Sequence, residues 1–278
     1  MTRKNGLKEN IRLSATLTSE TSVTSPVVIG GDPTKSIRTL SDLGYEGVEL
    51  HWGNPSQVDL QKIIECCDKH DMVISAFATG RAYVEEGLSL IDDDENKRQS
   101  AVKRLLDFVD VASKFQSTVI IGCIRGNLNS TENYNDYLNK LAQSTLQVAE
   151  YAATKNVQIV FEAINRYENN YLNNAVETLD FIRKYNLPNT KVLLDTFHMN
   201  IEDVSLSKAI EDCGSMLGYV HFADSNRHYV GGGHINYKEI ATALKKIDYQ
   251  GFISAECLPL PDSNTAIRKW IEGVKAAF

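Results

Sequence analysis

The sequence lacks several features that would assign it to other classes of protein. Its five cysteines have no CxxC spacing and are odd in number, which argues against a disulfide framework and a cysteine-based zinc site. The 29 Lys and Arg residues are outnumbered by 36 Asp and Glu, giving a formal net charge of -7. Because binding to a phosphate backbone normally needs a basic face, the sequence predicts no nucleic-acid partner.

Long apolar runs are also absent. No stretch approaches the roughly 18 apolar residues of a membrane span, and the N-terminal MTRKNGLKENIRLSATL has no apolar core of signal-peptide length. The chain has no linker or low-complexity tract either. We therefore expect a cytoplasmic protein with no membrane partner, folded as a single domain over residues 1–278.

The sequence does contain a regular alternation of short apolar runs and segments with helical periodicity. The eight apolar runs, read as strands, are IRLSATL, GVELHW, MVISAFA, STVIIGCI, VQIVFEAI, KVLLDTF, GYVHFAD and GFISAEC. Eight strand–helix units of roughly 34 residues each predict a closed (β/α)8 barrel, the TIM barrel. A doubly wound open sheet is the alternative, but it usually has fewer strands and often a GxGxxG fingerprint, which is absent here.

Ionisable side chains stand at the ends of four consecutive predicted strands. Glu162 ends the fifth strand and Asp195 the sixth, while His221 lies in the seventh and Glu256 ends the eighth. The active sites of (β/α)8 barrels lie at the carboxyl ends of the strands. Alternate neighbours in these strands are apolar and suit the helix-facing side. We therefore expect the four polar groups to share the barrel interior.

Such a cluster predicts a bound divalent cation. Two Glu, one Asp and one His would be very costly as bare charges in an apolar barrel, and a cation is the simplest compensation. Mostly oxygen ligands with one imidazole favour Mn²⁺, Mg²⁺ or Co²⁺, with catalytic Zn²⁺ as an alternative. Taken singly, Asp195 also fits a helix cap and His221 a hydrogen-bonded core residue.

The stretches around these residues resemble a known family. FEAINRYENNYLNN, LLDTFHMNIED, HFADSNRHYVGGGHINY and ISAECLP are similar to the xylose isomerase-like superfamily of TIM-barrel sugar isomerases and epimerases. Within it, they most resemble the ketose 3-epimerases typified by D-tagatose and D-psicose 3-epimerase. The resemblance covers almost the whole chain and is strongest from residue 157 onward. It implies an isomerase of carbohydrate metabolism that acts on a small-molecule ketose or ketose phosphate.

The resemblance also implies roles for individual residues. One divalent metal ion is implied at the positions that match the family's ligands, which are Glu162, Asp195, His221 and Glu256. We expect Mn²⁺, with Co²⁺, Mg²⁺ and Zn²⁺ as alternatives. Contacts with substrate hydroxyls are implied for Glu168, His198 and Arg227.

Two further residues are candidates for contacting the substrate. His51 closes the second predicted strand and is expected to wall the pocket, with a packed core histidine as the alternative. Arg125 is expected to recognise a phosphate or carboxylate, because a guanidinium binds either group in a bidentate manner. A salt bridge at the surface or between loops is the alternative for Arg125.

The two glutamates suggest a mechanism. Glu162 and Glu256 lie three strands apart around eight, so they would approach a metal-chelated ketose from roughly opposite sides. One would remove the proton next to the carbonyl to form a cis-enediolate, and the other would return a proton. Return to the opposite face gives 3-epimerisation, and return to the neighbouring carbon gives aldose–ketose isomerisation.

Three other functions remain open at this point. A keto-inositol dehydratase would expel a hydroxyl from the same enediolate. A metal-dependent apurinic endonuclease shares the barrel, but its additional histidine ligands are missing from SAFATG and IIGCIRG. A non-catalytic sugar-binding protein would not explain both glutamates. The oligomeric state, including a homo-oligomer, is not determined by the sequence.

Overall fold

The computed structural model describes residues 11–278, and its central feature is a closed ring of eight parallel strands. The strands are β1 Arg12–Thr18, β2 Gly47–His51, β3 Val73–Ala78, β4 Thr118–Ile121, β5 Ile159–Glu162, β6 Thr190–Asp195, β7 Leu217–Phe222 and β8 Phe252–Ala255. The ring closes where β8 pairs with β1, with Ala15 opposite Ala255. This confirms the (β/α)8 barrel and shows that the open-sheet alternative was wrong.

Ten α-helices surround the ring in the described part of the chain. They are α1 Pro33–Leu43, α2 Leu60–Lys69, α3 Gly80–Glu86, α4 Glu95–Ser113, α5 Tyr134–Thr154, α6 Ala175–Lys184, α7 Thr196–Glu202, α8 Leu206–Cys213, α9 Tyr237–Lys246 and α10 Ser263–Ala277. The short helices α3 and α7 are additions to the predicted pattern, and both begin within two residues of a strand end. A two-residue strand, Ile29–Gly30, pairs with β1 outside the ring.

Local sequence signals set the helix ends. The side chain of Asp32 caps α1 by accepting a hydrogen bond from Thr34 N at 2.9 Å. Gly44 ends the same helix with φ of 97°, a left-handed conformation that glycine adopts without steric cost. Asp262 caps α10 through Thr265 N at 2.9 Å. These caps agree with the sequence pattern.

The apolar core has two parts because strand side chains alternate between the two faces of the sheet. A large outer cluster packs the strands against the helices and includes Phe161, Leu194 and Phe222. A small inner cluster fills the barrel below the strand ends, and its members are Ala76, Ala78, Ile120, Val160, Leu193, Tyr219 and Phe252. These inner side chains pack inside the barrel beneath the ionisable residues.

In residues 11–278, no helix has both the length and the apolar character needed to cross a membrane. The prediction about the N-terminal stretch concerns in large part residues 1–10, which lie outside the described residues. Assignment of residues 1–278 to one domain stays a prediction.

Candidate active site

The four ionisable side chains meet at the carboxyl ends of neighbouring strands. Glu162 is the last residue of β5, Asp195 is the last of β6, and Glu256 directly follows β8. His221 lies in β7 and pairs in register with Asp195. One ligand atom from each side chain lies within 4.8 Å of the others, and all four residues are buried. The alternation of inward and outward residues therefore predicted their convergence correctly.

The imidazole of His221 is held so that one nitrogen faces the carboxylates. Its Nε2 lies 3.0 Å from Oε2 of Glu49, as hydrogen-bond donor to that carboxylate. Its Nδ1 lies 3.1 Å from Glu256 Oε2 and 3.4 Å from Glu162 Oε1. Buried Nδ1 has no hydrogen-bond partner of acceptable geometry among the described residues. Because Nε2 donates to Glu49, Nδ1 is the nitrogen that faces the cluster and would coordinate an ion once it is deprotonated.

Glu49 is a site residue that the sequence reasoning missed. Its carboxylate is wholly buried inside β2, and Oε1 lies 2.7 Å from Nε2 of His51. The signal was available, since a charged residue two positions before His51 in an apolar strand must point to the same side of the sheet. His51 thus joins the site through Glu49, and its contact with the substrate stays a prediction.

Arg227 bridges two of the carboxylates. One guanidinium nitrogen bonds Asp195 Oδ2, and Nη2 donates to Glu256 Oε2 at 2.7 Å. The guanidinium also lies 4.7 Å from the ring centre of Phe197. The backbone of Arg227 is left-handed, with φ of 62°, which is uncommon for a residue other than glycine and concentrates at functional sites.

His198 and Glu168 reach the same region from α7 and from the loop after β5. Nε2 of His198 lies 3.8 Å from Asp195 Oδ2 and 4.0 Å from Glu162 Oε1. Asn165 contacts both residues, with Nδ2 lying 2.6 Å from His198 Nδ1 and 3.2 Å from Glu168 Oε1. The structure therefore brings the candidate substrate residues Glu168, His198 and Arg227 around the four-residue cluster.

Arg125 lies behind this cluster. It is completely buried, and its guanidinium donates to the main-chain oxygen of Glu162 at 2.7 Å and to Asn169 Oδ1 at 3.1 Å. Its Nη2 has no partner among the described residues. These contacts fix the end of β5, and neither is the salt bridge between loops that we considered as an alternative. A substrate contact for Arg125 stays a prediction.

Asp195 combines two interpretations that the sequence analysis treated as alternatives. Oδ1 caps α7 by accepting a hydrogen bond from Phe197 N at 2.8 Å. Oδ2 faces the cluster and bonds Arg227. A carboxylate has two oxygens, so a helix cap leaves one oxygen available to the site.

The electrostatic environment shifts the pKa values of the three carboxyl groups in different directions. Burial raises the pKa of Glu162, and it raises the pKa of Asp195 to about 8. Burial also opposes ionisation of Glu256, but His221 and Arg227 outweigh it and hold the pKa of Glu256 well below its usual range. For His221, burial is outweighed by Glu256 and Glu49, which raise its pKa well above the ordinary value. The protein's own cations therefore keep Glu256 ionised but do not offset the effect of burial on Glu162 and Asp195.

This donor set fits a divalent cation. Three carboxylates and Nδ1 of one imidazole converge, and Nδ1 of His221, which has no hydrogen bond of acceptable geometry among the described residues, is the atom that such an ion would satisfy. Glu49 on the far side of His221 gives the carboxylate–histidine arrangement that commonly orients a metal-binding imidazole. Metal binding requires deprotonated ligands, and the raised pKa values of Glu162, Asp195 and His221 mean that binding would release protons.

The fold and site together define a (β/α)8-barrel enzyme with a buried carboxylate–histidine cluster at the strand ends. Residues 37–275 match the xylose isomerase-like TIM barrel family, and the chain belongs to that family. It is 30% identical over 229 residues to the L-ribulose 3-epimerase of Methylomonas sp. (strain DH-1), covering 80% of this chain and 77% of that protein.

Two further comparisons agree. The chain is 42% identical over 114 residues to the D-psicose 3-epimerase of Ruminiclostridium cellulolyticum, covering 41% of this chain and 39% of that enzyme. The D-allulose 3-epimerase of Methylomonas sp., in its crystal structure with D-allulose, shares the fold with a TM-score of 0.83 at 24% identity over 97% of this chain and 98% of that chain. The relatives are epimerases, and the chain is an enzyme of the isomerase class.

Proposed function

We propose that the chain is a divalent-metal-dependent 3-epimerase of a ketose or ketose phosphate. The observation that carries the proposal is the convergence of Glu162, Asp195, His221 and Glu256, with a buried and unpartnered histidine nitrogen facing the carboxylates. The names of its relatives, L-ribulose 3-epimerase and D-psicose 3-epimerase, support the reaction and the class of substrate.

The same four residues would hold the ion. Because three of the ligands are carboxylates, Mn²⁺ suits the site best, and Co²⁺, Mg²⁺ and Zn²⁺ are the alternatives. When bound, such an ion acts as a Lewis acid that polarises the substrate carbonyl.

Glu162 and Glu256 are the proposed acid and base. They extend from β5 and β8, which are three strands apart in the ring, so their carboxylates approach a sugar between them from different sides. One carboxylate takes the proton from C3, the C–H electron pair becomes the C2–C3 double bond, and the π pair of the C2 carbonyl moves onto its oxygen to form an enediolate. The other, as a carboxylic acid, gives a proton to the opposite face of C3. The stereocentre is inverted, and the protons balance.

The remaining polar residues would position the sugar. Arg227 offers guanidinium donors beside Glu256, while His198 and Glu168 lie on the Asp195 and Glu162 side. Hydroxyl groups of a ketose carry both donors and acceptors, which this mixed set can match.

The test is an assay of the protein loaded with Mn²⁺ against a panel of ketoses and ketose phosphates. We expect wild type to form the 3-epimer of at least one of them. Glu162→Gln and Glu256→Gln should each lower turnover by roughly 10² to 10⁴, the usual contribution of a positioned acid or base. Glu150→Gln, an exposed change on α5, is the matched control.

Metal content must be measured in each variant, because loss of the ion would imitate loss of the base. Wild-type turnover by either fully metallated glutamine variant would contradict the assignment. An aldose product, loss of water from a keto-inositol, or cleavage of abasic DNA without epimerisation would each favour a different function.

A further inference from the structure

Asn165 is a buried residue for which neither the proposed reaction nor the resemblance supplies a role. It lies in the loop after β5, three residues past Glu162, and is 1% exposed. Its side chain lies 2.6 Å from Nδ1 of His198. A polar group at this depth beside a candidate substrate residue has to satisfy its own hydrogen bonds, and those bonds constrain the histidine.

The orientation of the Asn165 amide is fixed by the backbone. Oδ1 lies 2.9 Å from the main-chain N of Tyr167, which can only donate a hydrogen bond. The oxygen must therefore face Tyr167, and the amide NH₂ must face His198. Nδ2 also lies 3.2 Å from Glu168 Oε1, and this acceptor gives the same orientation.

The amide in turn fixes the proton of His198. An amide nitrogen donates and does not accept, so Nδ1 of His198 has to be the acceptor. A neutral imidazole with a lone pair on Nδ1 carries its proton on Nε2. That Nε2 lies 3.8 Å from Asp195 Oδ2 and 4.0 Å from Glu162 Oε1, longer than a hydrogen bond to either. The donor is therefore directed into the space between two proposed metal ligands.

We propose that Asn165 is a positioning residue that holds His198 in the Nε2–H tautomer, so that His198 donates a hydrogen bond to a substrate oxygen lying between Glu162 and Asp195. The proposal rests on the proposed function for the identity of the substrate, but the tautomer itself depends only on the contacts of Asn165. The proposal also limits the substrates, because a substrate must present a hydrogen-bond acceptor between Glu162 and Asp195.

The tautomer is measured directly by long-range ¹H–¹⁵N correlation NMR on protein containing ¹⁵N-histidine, loaded with diamagnetic Mg²⁺. The sequence has six histidines, and His198→Gln assigns the relevant signals by their loss. We expect wild type to show a protonated Nε2 and an unprotonated Nδ1. A protonated Nδ1 in wild type would overturn the proposal without reference to activity.

Asn165→Asp tests the cause of the tautomer. The introduced carboxylate still accepts the hydrogen bond of Tyr167 N, but its other oxygen cannot donate, so Nδ1 of His198 should gain a proton. Asn173→Asp is the matched control, because Asn173 donates to Ile164 O and Asn169 O in the same loop and makes no contact with His198. The control should keep the wild-type histidine signals. Unchanged His198 signals in Asn165→Asp would contradict the assigned role.

A double-mutant cycle separates positioning from a general structural effect. Asn165→Asp should lower kcat/KM for the ketose roughly tenfold to a hundredfold in wild type and by clearly less in a His198→Gln background, because the part of the loss that acts through His198 is then absent. Additive losses would overturn the proposal. If wild type shows the expected tautomer but turns over no ketose, the proposed function fails and the positioning of His198 stands.

Discussion

Glu49 accepts hydrogen bonds from two imidazoles, those of His51 and His221, although its carboxylate is completely buried. Burial alone would raise its pKa, but His221 and His51 outweigh that effect and lower the pKa to about 2. Glu49 is therefore ionised and acts only as an acceptor. A single side chain that contributes no ligand in our assignment thus determines which nitrogen of His221 faces the proposed ion.

Glu49→Gln should weaken binding of the ion. The carboxylate contacts Nε2 of His221 with both oxygens, at 3.0 and 3.1 Å, and the introduced NH₂ group cannot accept a hydrogen bond, so His221 loses one of these contacts and its orientation is less well fixed. We expect a tenfold to hundredfold loss of Mn²⁺ affinity, the typical effect of removing such a partner, measured by isothermal titration calorimetry. Glu65→Gln, an exposed change on α2, serves as control. Unchanged Mn²⁺ affinity in Glu49→Gln would show that the contact is not needed.

The sequence pattern marked Glu162, Asp195, His221 and Glu256 as candidates but did not mark Glu49 or Asn165. Glu162 and Glu256 stand out because each ends an apolar strand, and that position is readable from the pattern. Asn165 lies in a loop whose path depends on hydrogen bonds with distant residues, so no periodicity marks it. Glu49 was readable by the same alternation but lies in the interior of its strand.

At the scale of elements, the turn after β4 makes room for the end of β5. A Cβ atom at Gly122 would lie 2.6 Å from Glu162 Oε2, closer than real Cβ contacts allow. The carboxylate would have to move, because Gly122 directly follows β4 and its backbone position is set by the sheet. A glycine here keeps the proposed base in place.

Gly122→Ala should therefore lower kcat/KM by roughly a hundredfold, the cost that a displacement of about 1 Å can carry. Gly80→Ala is a matched control at the start of α3, since its Cβ would meet Cys123 Cβ at an ordinary 3.6 Å. The measurement is ketose turnover with metal content determined in parallel. Full activity in metallated Gly122→Ala would contradict the packing argument.

The end of α7 also affects the pH dependence of stability, because Asp203 directly follows this helix. Its Oδ1 accepts a weak hydrogen bond from Ala175 N at 3.4 Å, and buried Oδ2 has no partner among the described residues. Burial raises the pKa of Asp203 to about 6. Because this pKa lies above that of the unfolded chain, ionisation destabilises the fold. This destabilisation is absent well below about pH 4, grows as pH rises from about 4 to about 6, and stays constant at higher pH.

Asp203→Asn should remove this penalty, which a pKa rise of this size puts at about 3 kcal/mol at most. The variant should gain free energy of unfolding relative to wild type at neutral pH and about a third as much at pH 4.5, measured by urea unfolding of the metal-free protein. Asp180→Asn, an exposed change on α6, should show no such difference. An equal effect of Asp203→Asn at both pH values would rule out ionisation as its cause.

At the scale of the whole molecule, the sequence predicted the barrel because eight apolar runs alternate with amphipathic segments, and only ring closure leaves no strand edge. It did not predict α7, which is only seven residues long and begins with the cap that Asp195 supplies. It also did not predict that Arg227 would bridge Asp195 and Glu256, because that contact depends on the loop between β7 and α9.

The closed ring brings Glu162 and Glu256 to the same end of the barrel, and the central claim is the proposal that both act on one sugar from two sides. The most direct test is epimerisation in D₂O by the metallated wild-type protein, followed by NMR. The account predicts deuterium at C3 of the epimerised product, because the returning proton comes from a second carboxyl group that exchanges with solvent. Product that carries no deuterium at C3, under conditions that exclude internal return of the proton, would contradict the two-base mechanism.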